Sequence, residues 1–142
     1  MDLQPVDVRT YSPLVLAYIG DAVYELMIRS KVINRGSMQV NKMHKHSAAL
    51  VKASAQAQMI KTLEEELTEE ELAVYKRGRN AKSATMAKNA TMIDYRMATG
   101  FEALVGWLFL TGAYERLVEL VSGGLKRSGL LTQPEDKGEQ PT

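Results

Sequence analysis

The chain has 142 residues, of which 45% are hydrophobic and 25% charged, and this is enough for one globular domain with its own core. It contains no cysteine, which excludes a disulfide framework, a thiolate zinc site and a cysteine nucleophile. No segment reaches the roughly 18 consecutive apolar residues of a transmembrane helix, and the first ten residues do not resemble a signal peptide. We therefore expect a cytoplasmic protein.

The net charge of +1 conceals an uneven distribution of charged residues. Acidic residues are absent between Glu25 and Glu64 and again between Lys76 and Ile93, whereas six glutamates crowd into residues 64–71. Two separate basic blocks in a nearly neutral chain favour a surface that binds a polyanion. The alternative for each block is an ordinary solvated helix face.

The first predicted helix begins at Ser12, a capping hydroxyl that directly precedes a proline in the first turn. Gly36 is a plausible end for this helix. A second helical region starts near Ser37 or Asn41, and its small and apolar residues recur every three to four positions. We expect a break in this region around Ser54.

Three further helices and one loop follow along the chain. Thr68 and Glu71 form the pattern of a capping box, which opens a helix that closes near Gly78. The segment "GRNAKSATMAKNATM" has no clean periodicity and is predicted to be a loop. Helices are then expected at about residues 93–110 and from residue 114 to about residue 126.

The predicted fold class is all-α, because no segment alternates between apolar and polar residues and ends in an Asn-Gly or Asp-Gly turn. We assign residues 1–129 to one domain. Residues 130–142 are mostly polar, contain two prolines, and are predicted to form a disordered tail.

Two carboxylates occupy helices that are otherwise apolar. Asp21 lies in "LAYIGDAVYE" with Glu25 one turn later on the same face, and Glu102 lies in "TGFEALVGWLFL". Buried carboxylates are costly unless they are paired, protonated or bound to a metal. They are therefore either satisfied by Arg, Lys or backbone N–H groups, or they form a hard-cation site of oxygen ligands. Glu25 either supports that site or pairs with Arg29.

Both segments resemble motifs of the ribonuclease III family. "LAYIGDAVYEL" resembles the family signature with its Gly-Asp-Ala core, and "GFEALVGWLFLTG" resembles the second motif with its Phe-Glu-Ala-Leu core. Their order and spacing match the family from Ser12 to Gly112. The resemblance implies a helical endonuclease bundle that forms a homodimer, requires Mg²⁺ and cleaves double-stranded RNA.

The resemblance also assigns the site residues. Asp21 and Glu102 match family carboxylates that act as catalytic residues and metal ligands. The family site has a second carboxylate on each of these helices, but the matching positions here are Ala17 and Thr99. Tyr18 and Ile19 match dimer-interface positions, with ordinary core packing as the alternative for each.

A further resemblance, above all over "KRGRNAKSATMAKNATMIDYRMATGFEAL", is to the short branch called Mini-ribonuclease III, which lacks the double-stranded-RNA-binding domain. It implies maturation of precursor 23S ribosomal RNA, with a ribosomal protein as a candidate helper. Without an accessory domain, the RNA must be held by the basic surface of the domain itself. The candidate RNA-binding residues are Arg77, Arg79, Lys82, Lys88, Lys42 and Lys45.

Two other functions are compatible with the sequence. Ala17 and Thr99 favour a dimer that binds ribosomal RNA without cutting it, because two of the family carboxylates are replaced. A helical protein–protein interaction domain is the other alternative, and the basic blocks and paired motifs argue against it.

Overall fold

A computed structural model of the chain describes residues 7–36, 39–81 and 91–131. Within these ranges the secondary structure is entirely helical, which confirms the all-α prediction. Two short 3-10 helices, Val8–Thr10 and Glu64–Glu66, accompany the α-helices. The α-helices are α1 (Pro13–Ile33), α2 (Val40–Val51), α3 (Ala53–Leu63), α4 (Glu69–Asn80), α5 (Met92–Leu110) and α6 (Tyr114–Ser128).

The predicted helix starts are confirmed by their hydrogen bonds. The hydroxyl of Ser12 accepts a hydrogen bond of 3.2 Å from the backbone N–H of Val15 and caps α1. At the start of α4, the Glu71 N–H donates to the Thr68 hydroxyl at 3.1 Å, and the Thr68 N–H donates to the Glu71 carboxylate at 2.9 Å. Two otherwise unpaired backbone donors are thus satisfied, as a capping box requires.

Two helices end about two residues beyond their predicted ends, and a glycine near each end lies at a helix crossing. A Cβ on Gly78 would lie 2.7 Å from the Cβ of Ala103, so α4 packs tightly against α5 there and continues to Asn80. A Cβ on Gly124 would lie 2.9 Å from the methyl carbon of Met59, and α6 runs past it to Ser128. These glycines therefore allow close packing and do not end helices.

The break in the second helical region falls at Lys52, two residues before the predicted position. The ψ angle of Lys52 is 157°, an extended conformation that separates α2 from α3, and Ser54 lies in the first turn of α3. Of the predicted loop, residues 82–90 lie outside the described part of the chain. The same holds for residues 132–142, so the predicted tail and the domain boundary remain predictions.

Helix α5 lies at the centre of the bundle and packs against α1, α3, α4 and α6. The rings of Tyr24 and Phe101 meet edge to face with their centroids 5.1 Å apart, a favoured aromatic geometry. The Tyr24 hydroxyl donates to the carbonyl of Leu50 at 3.0 Å, which links α1 to α2. None of the described helices combines the length and the apolar character needed to cross a membrane.

Candidate active site

Two glycines bring α1 and α5 into backbone contact. A Cβ on Gly20 would overlap the backbone carbonyl of Glu102, and a Cβ on Gly106 would overlap the backbone carbonyl of Leu16. No side chain can therefore separate the two helices at this crossing. Because Asp21 directly follows Gly20, the crossing places it beside Glu102.

The structure brings together the two carboxylates that the sequence singled out. Asp21 is exposed on α1, and Glu102 is half-buried on α5 behind it. Burial of Glu102, the negative charge of Asp21 and a hydrogen bond between the two side chains raise the pKa of Glu102 to about 8. The nearby negative charge of Asp21 disfavours ionisation of Glu102, and a perturbed acid of this kind often marks a functional site.

Within residues 7–36, 39–81 and 91–131, neither carboxylate has an ion pair with a basic side chain. Glu102 instead accepts a hydrogen bond of 3.3 Å from the amide nitrogen of Gln56 on α3. The sequence analysis missed Gln56. The available signal in the sequence was a polar residue between two alanines in an amphipathic helix. In the structure, Gln56 is only 2% exposed.

Glu25 is engaged elsewhere. Its carboxylate accepts a hydrogen bond of 2.9 Å from the guanidinium of Arg29, one turn further along α1. The ion-pair alternative proposed from the sequence is therefore the observed one. Both side chains are substantially exposed, so this pair contributes little to stability.

The positions of the two replaced family carboxylates provide no further acidic ligands. Ala17 is buried in a small apolar cluster with Val74 and Ala103. Thr99 is also buried, and its hydroxyl donates to the backbone carbonyl of Tyr95 at 2.9 Å. The described residues include no group of three or more Asp, Glu, His or Cys side chains that could hold a metal ion.

The residues that are present fit a hard divalent cation. Asp21 and Glu102 supply carboxylate oxygens, the ligands that Mg²⁺ prefers, and Mg²⁺ commonly keeps several of its waters. A cation between the two carboxylates would remove the repulsion that raises the pKa of Glu102. The site therefore suits an ion that is held by few protein ligands.

Two of the predicted RNA-binding residues lie on α2. Lys42 and Lys45 line a cavity of about 360 Å³ together with Arg35 and His46. A concave surface with this many basic side chains suits an anionic ligand. Two further candidates lie outside the described residues: Lys82 and Lys88.

The other described candidates, Arg77 and Arg79, lie in the last turn of α4. The guanidinium carbon of Arg79 lies 5.6 Å from the centroid of the Tyr75 ring, a cation–π contact. Arg79 and Arg96 both line a second cavity, of about 320 Å³, between the end of α4 and the start of α5. Basic residues thus occupy two separate parts of the described surface.

The two predicted interface residues differ in their surroundings. Tyr18 is 83% exposed, whereas Ile19 is half-buried and packs beside Gly106 of α5 in the same chain. Ala22 and Leu26 follow Tyr18 at four-residue intervals and are also exposed, so they share one face of α1. An apolar stripe of this kind suits a protein–protein contact.

These features define a helical nuclease domain, with adjacent carboxylates at a helix crossing and basic surfaces on the neighbouring helices. Residues 14–113 match the family model described as Ribonuclease III domain. The chain belongs to the ribonuclease III family and is an endoribonuclease.

Its relatives include proteins named Mini-ribonuclease 3. The one from Clostridium tetani is 53% identical over 116 residues, which are 81% of this chain and 77% of the relative. The one from Enterococcus faecalis is 47% identical over 125 residues, which are 87% of this chain and 95% of the relative. A crystal structure from Fusobacterium nucleatum is 32% identical, with a TM-score of 0.77 over 84% of this chain and 96% of that one.

Proposed function

We propose that this chain is a Mg²⁺-dependent endoribonuclease that cuts double-stranded RNA and matures precursor 23S ribosomal RNA as a cytoplasmic homodimer. The observation that carries the proposal is the adjacency of Asp21 and Glu102 at the crossing of α1 and α5. Membership of the ribonuclease III family and the relatives named Mini-ribonuclease 3 support the substrate class.

In the proposed mechanism, Asp21 and Glu102 hold the cation beside the scissile phosphate. Mg²⁺, when bound, supplies charge neutralisation at the phosphate and favours ionisation of the attacking water. The exposed Asp21 lies where RNA can reach it, and the half-buried Glu102 provides a fixed second oxygen donor. Both residues therefore act as catalytic ligands.

The basic surfaces hold the RNA through its phosphates. Duplex RNA is recognised mainly by shape, by phosphates and by 2′-hydroxyls, because its major groove is too narrow for side chains. Arg77 and Arg79 on α4 and Lys42 and Lys45 on α2 provide this positive charge, and Lys82 and Lys88 complete the proposed set. The affinity for RNA is then expected to fall steeply as salt concentration rises.

A two-fold dimer would supply one site for each strand of the duplex. The apolar stripe of Tyr18, Ala22 and Leu26 supports an interface on this face of α1. The stripe is continuous with an apolar groove of about 320 Å³ that Leu26 shares with Phe109 and Val118. We place Tyr18 at the dimer contact, with Ile19 beside it supporting the helix crossing.

Tyr18→Glu is expected to shift the protein from dimer to monomer, because a charge would have to be buried in the apolar contact. We expect the dimer dissociation constant to rise by about 10–100-fold, as for loss of an aromatic anchor. Light scattering over a dilution series measures it. Ile93→Glu is the control, since Ile93 is 70% exposed outside the stripe. If Tyr18→Glu remained as dimeric as Ile93→Glu over the dilution series, the interface would lie elsewhere.

The proposed activity is tested with a defined RNA duplex, its separated strands and precursor 23S ribosomal RNA. We expect cuts in the duplex and the precursor with Mg²⁺, no cuts with a chelator, and none in the single strands. Naked precursor is compared with precursor in assembled ribosomal particles, which tests the need for a ribosomal protein. Cleavage in chelator, or of single strands alone, would contradict the proposal.

The second candidate function is an RNA-binding dimer without nuclease activity. It is favoured by Ala17 and Thr99, which are buried and provide no carboxylate. Binding of both duplex and precursor with no cleavage in Mg²⁺ would establish this function instead. The retained pair, Asp21 and Glu102, argues for the enzyme, because mutual repulsion between two acids serves no purpose in a site that holds no cation.

A further inference from the structure

We propose that Gln56 is a positioning residue that fixes the carboxylate of Glu102 in the orientation needed to bind the cation. This inference rests on the proposed function. The structure places Gln56 on α3, between the end of α2 and the half-buried acid on α5.

The amide nitrogen of Gln56 donates two hydrogen bonds. One, of 3.3 Å, goes to Oε2 of Glu102, and the other, of 2.8 Å, goes to the backbone carbonyl of Val51 at the end of α2. The backbone carbonyl of Val51 can only accept, so the reversed amide would place Oε1 against this acceptor and lose the shorter bond. The orientation of the amide is therefore determined by its surroundings.

The break between α2 and α3 makes this arrangement available. Because Lys52 is extended, α2 ends at Val51 and the carbonyl of that residue is free to accept from a side chain. Gln56 uses this backbone group as a fixed point and extends its second N–H toward Glu102. One carboxylate oxygen of Glu102 is thus tied to the backbone of a different helix through a single amide.

Apolar packing alone does not explain an amide at this position. Gln56 is 2% exposed, and its neighbours on α3 include the buried Met59 and Ile60. Within the described part of the chain, Oε1 of Gln56 is buried without a hydrogen-bond partner. A buried acceptor left unpaired costs about 1–3 kcal/mol, whereas methionine would fill similar space without this cost. The hydrogen bonds to the Val51 carbonyl and to Glu102 are the gains that offset it, and only the second of them reaches the candidate site.

Residues that orient a metal ligand commonly change metal affinity by about 10–100-fold when they are replaced. Without Gln56, the Glu102 side chain would be free to adopt other rotamers, and ordering it on cation binding would cost entropy. We therefore expect weaker binding of the cation and a lower cleavage rate, with little change in RNA affinity.

The test compares Gln56→Met with Gln58→Met, which changes the same residue type at an exposed position on the same helix. Binding of Mn²⁺ without RNA is measured by electron paramagnetic resonance, and thermal unfolding is followed in parallel. We expect Gln56→Met to bind Mn²⁺ about 10–100-fold more weakly while it remains folded at the temperature of the measurement. Gln58→Met should match the wild type in both measurements.

The outcomes separate the inference from the proposed function. Equal Mn²⁺ affinity in wild type and Gln56→Met, or a lower melting temperature with unchanged affinity, would make Gln56 a structural residue only. No Mn²⁺ binding by the wild type would instead overturn the metal site itself. A double variant with Glu102→Gln should bind no more weakly than Glu102→Gln alone, since Gln56 acts through Glu102.

Discussion

Asp21→Asn is expected to reduce cleavage of duplex RNA by at least about 10²–10³-fold, the size typical for loss of a group that stabilises the transition state electrostatically. Asparagine has nearly the same shape, so the contact between α1 and α5 at Gly20 should persist. The side chain is exposed, and its replacement leaves no buried group unpaired. The loss should therefore appear in catalysis. Single-turnover cleavage in Mg²⁺ measures it.

Glu25→Gln is the matched control for Asp21→Asn. It makes the same chemical change one turn along α1, at a carboxylate that is paired with Arg29. We expect cleavage close to that of the wild type, since an exposed ion pair contributes at most about 1 kcal/mol to stability and its loss should leave the fold intact. RNA binding in chelator should be similar for all three proteins. A similar loss of cleavage in both variants would show that the general negative charge of α1 matters and not a ligand at residue 21.

The fold and the pair of acids were predictable because each left a local signal. Helix starts were marked by capping groups at Ser12 and Thr68, whose hydrogen bonds depend on neighbouring residues only. Asp21 and Glu102 were conspicuous as acids in apolar helices. Their adjacency followed from the resemblance to the ribonuclease III family, and the backbone contact at Gly20 accounts for it physically.

Other features depended on tertiary packing and left no such signal. Gly78 has the sequence context of a helix end, but α5 approaches so closely there that only glycine fits. The break at Lys52 involves neither glycine nor proline, and the sequence predicted it two residues away, at Ser54. Gln56 acquires its role from Val51 and Glu102, which meet it only in the folded chain.

Glu102→Gln is expected to abolish cleavage and, without added metal, to stabilise the protein above neutral pH. The ordinary pKa of this carboxyl is 4.5, and in the folded protein it is about 8. Between these values the native state keeps a proton that the unfolded state has released, so the free energy of unfolding falls as pH rises through this window. Above pH 8 the Glu102 carboxylate is ionised in the native state too, and the free energy of unfolding has lost its full contribution from this group. Glutamine does not ionise, so this loss should disappear.

We expect the variant to gain roughly 1–3 kcal/mol in free energy of unfolding at pH 8, and nothing below about pH 4.5. Urea unfolding at several pH values measures it. Glu65→Gln is the control, because Glu65 is exposed in the 3-10 helix and should leave the pH dependence unchanged. Saturating Mg²⁺ should stabilise the wild type at pH 8 but not Glu102→Gln.

The combination of these effects distinguishes a metal ligand from a structural acid. A structural acid is stabilised by its partners in the fold, so its replacement lowers stability at the pH where it is charged. Glu102 faces the negative charge of Asp21, and the hydrogen bond from Gln56 only partly offsets it. A lower stability of Glu102→Gln at pH 8 would therefore show that the fold satisfies this carboxylate. A higher one, with activity lost, indicates that the fold keeps two repelling acids together because a cation binds between them.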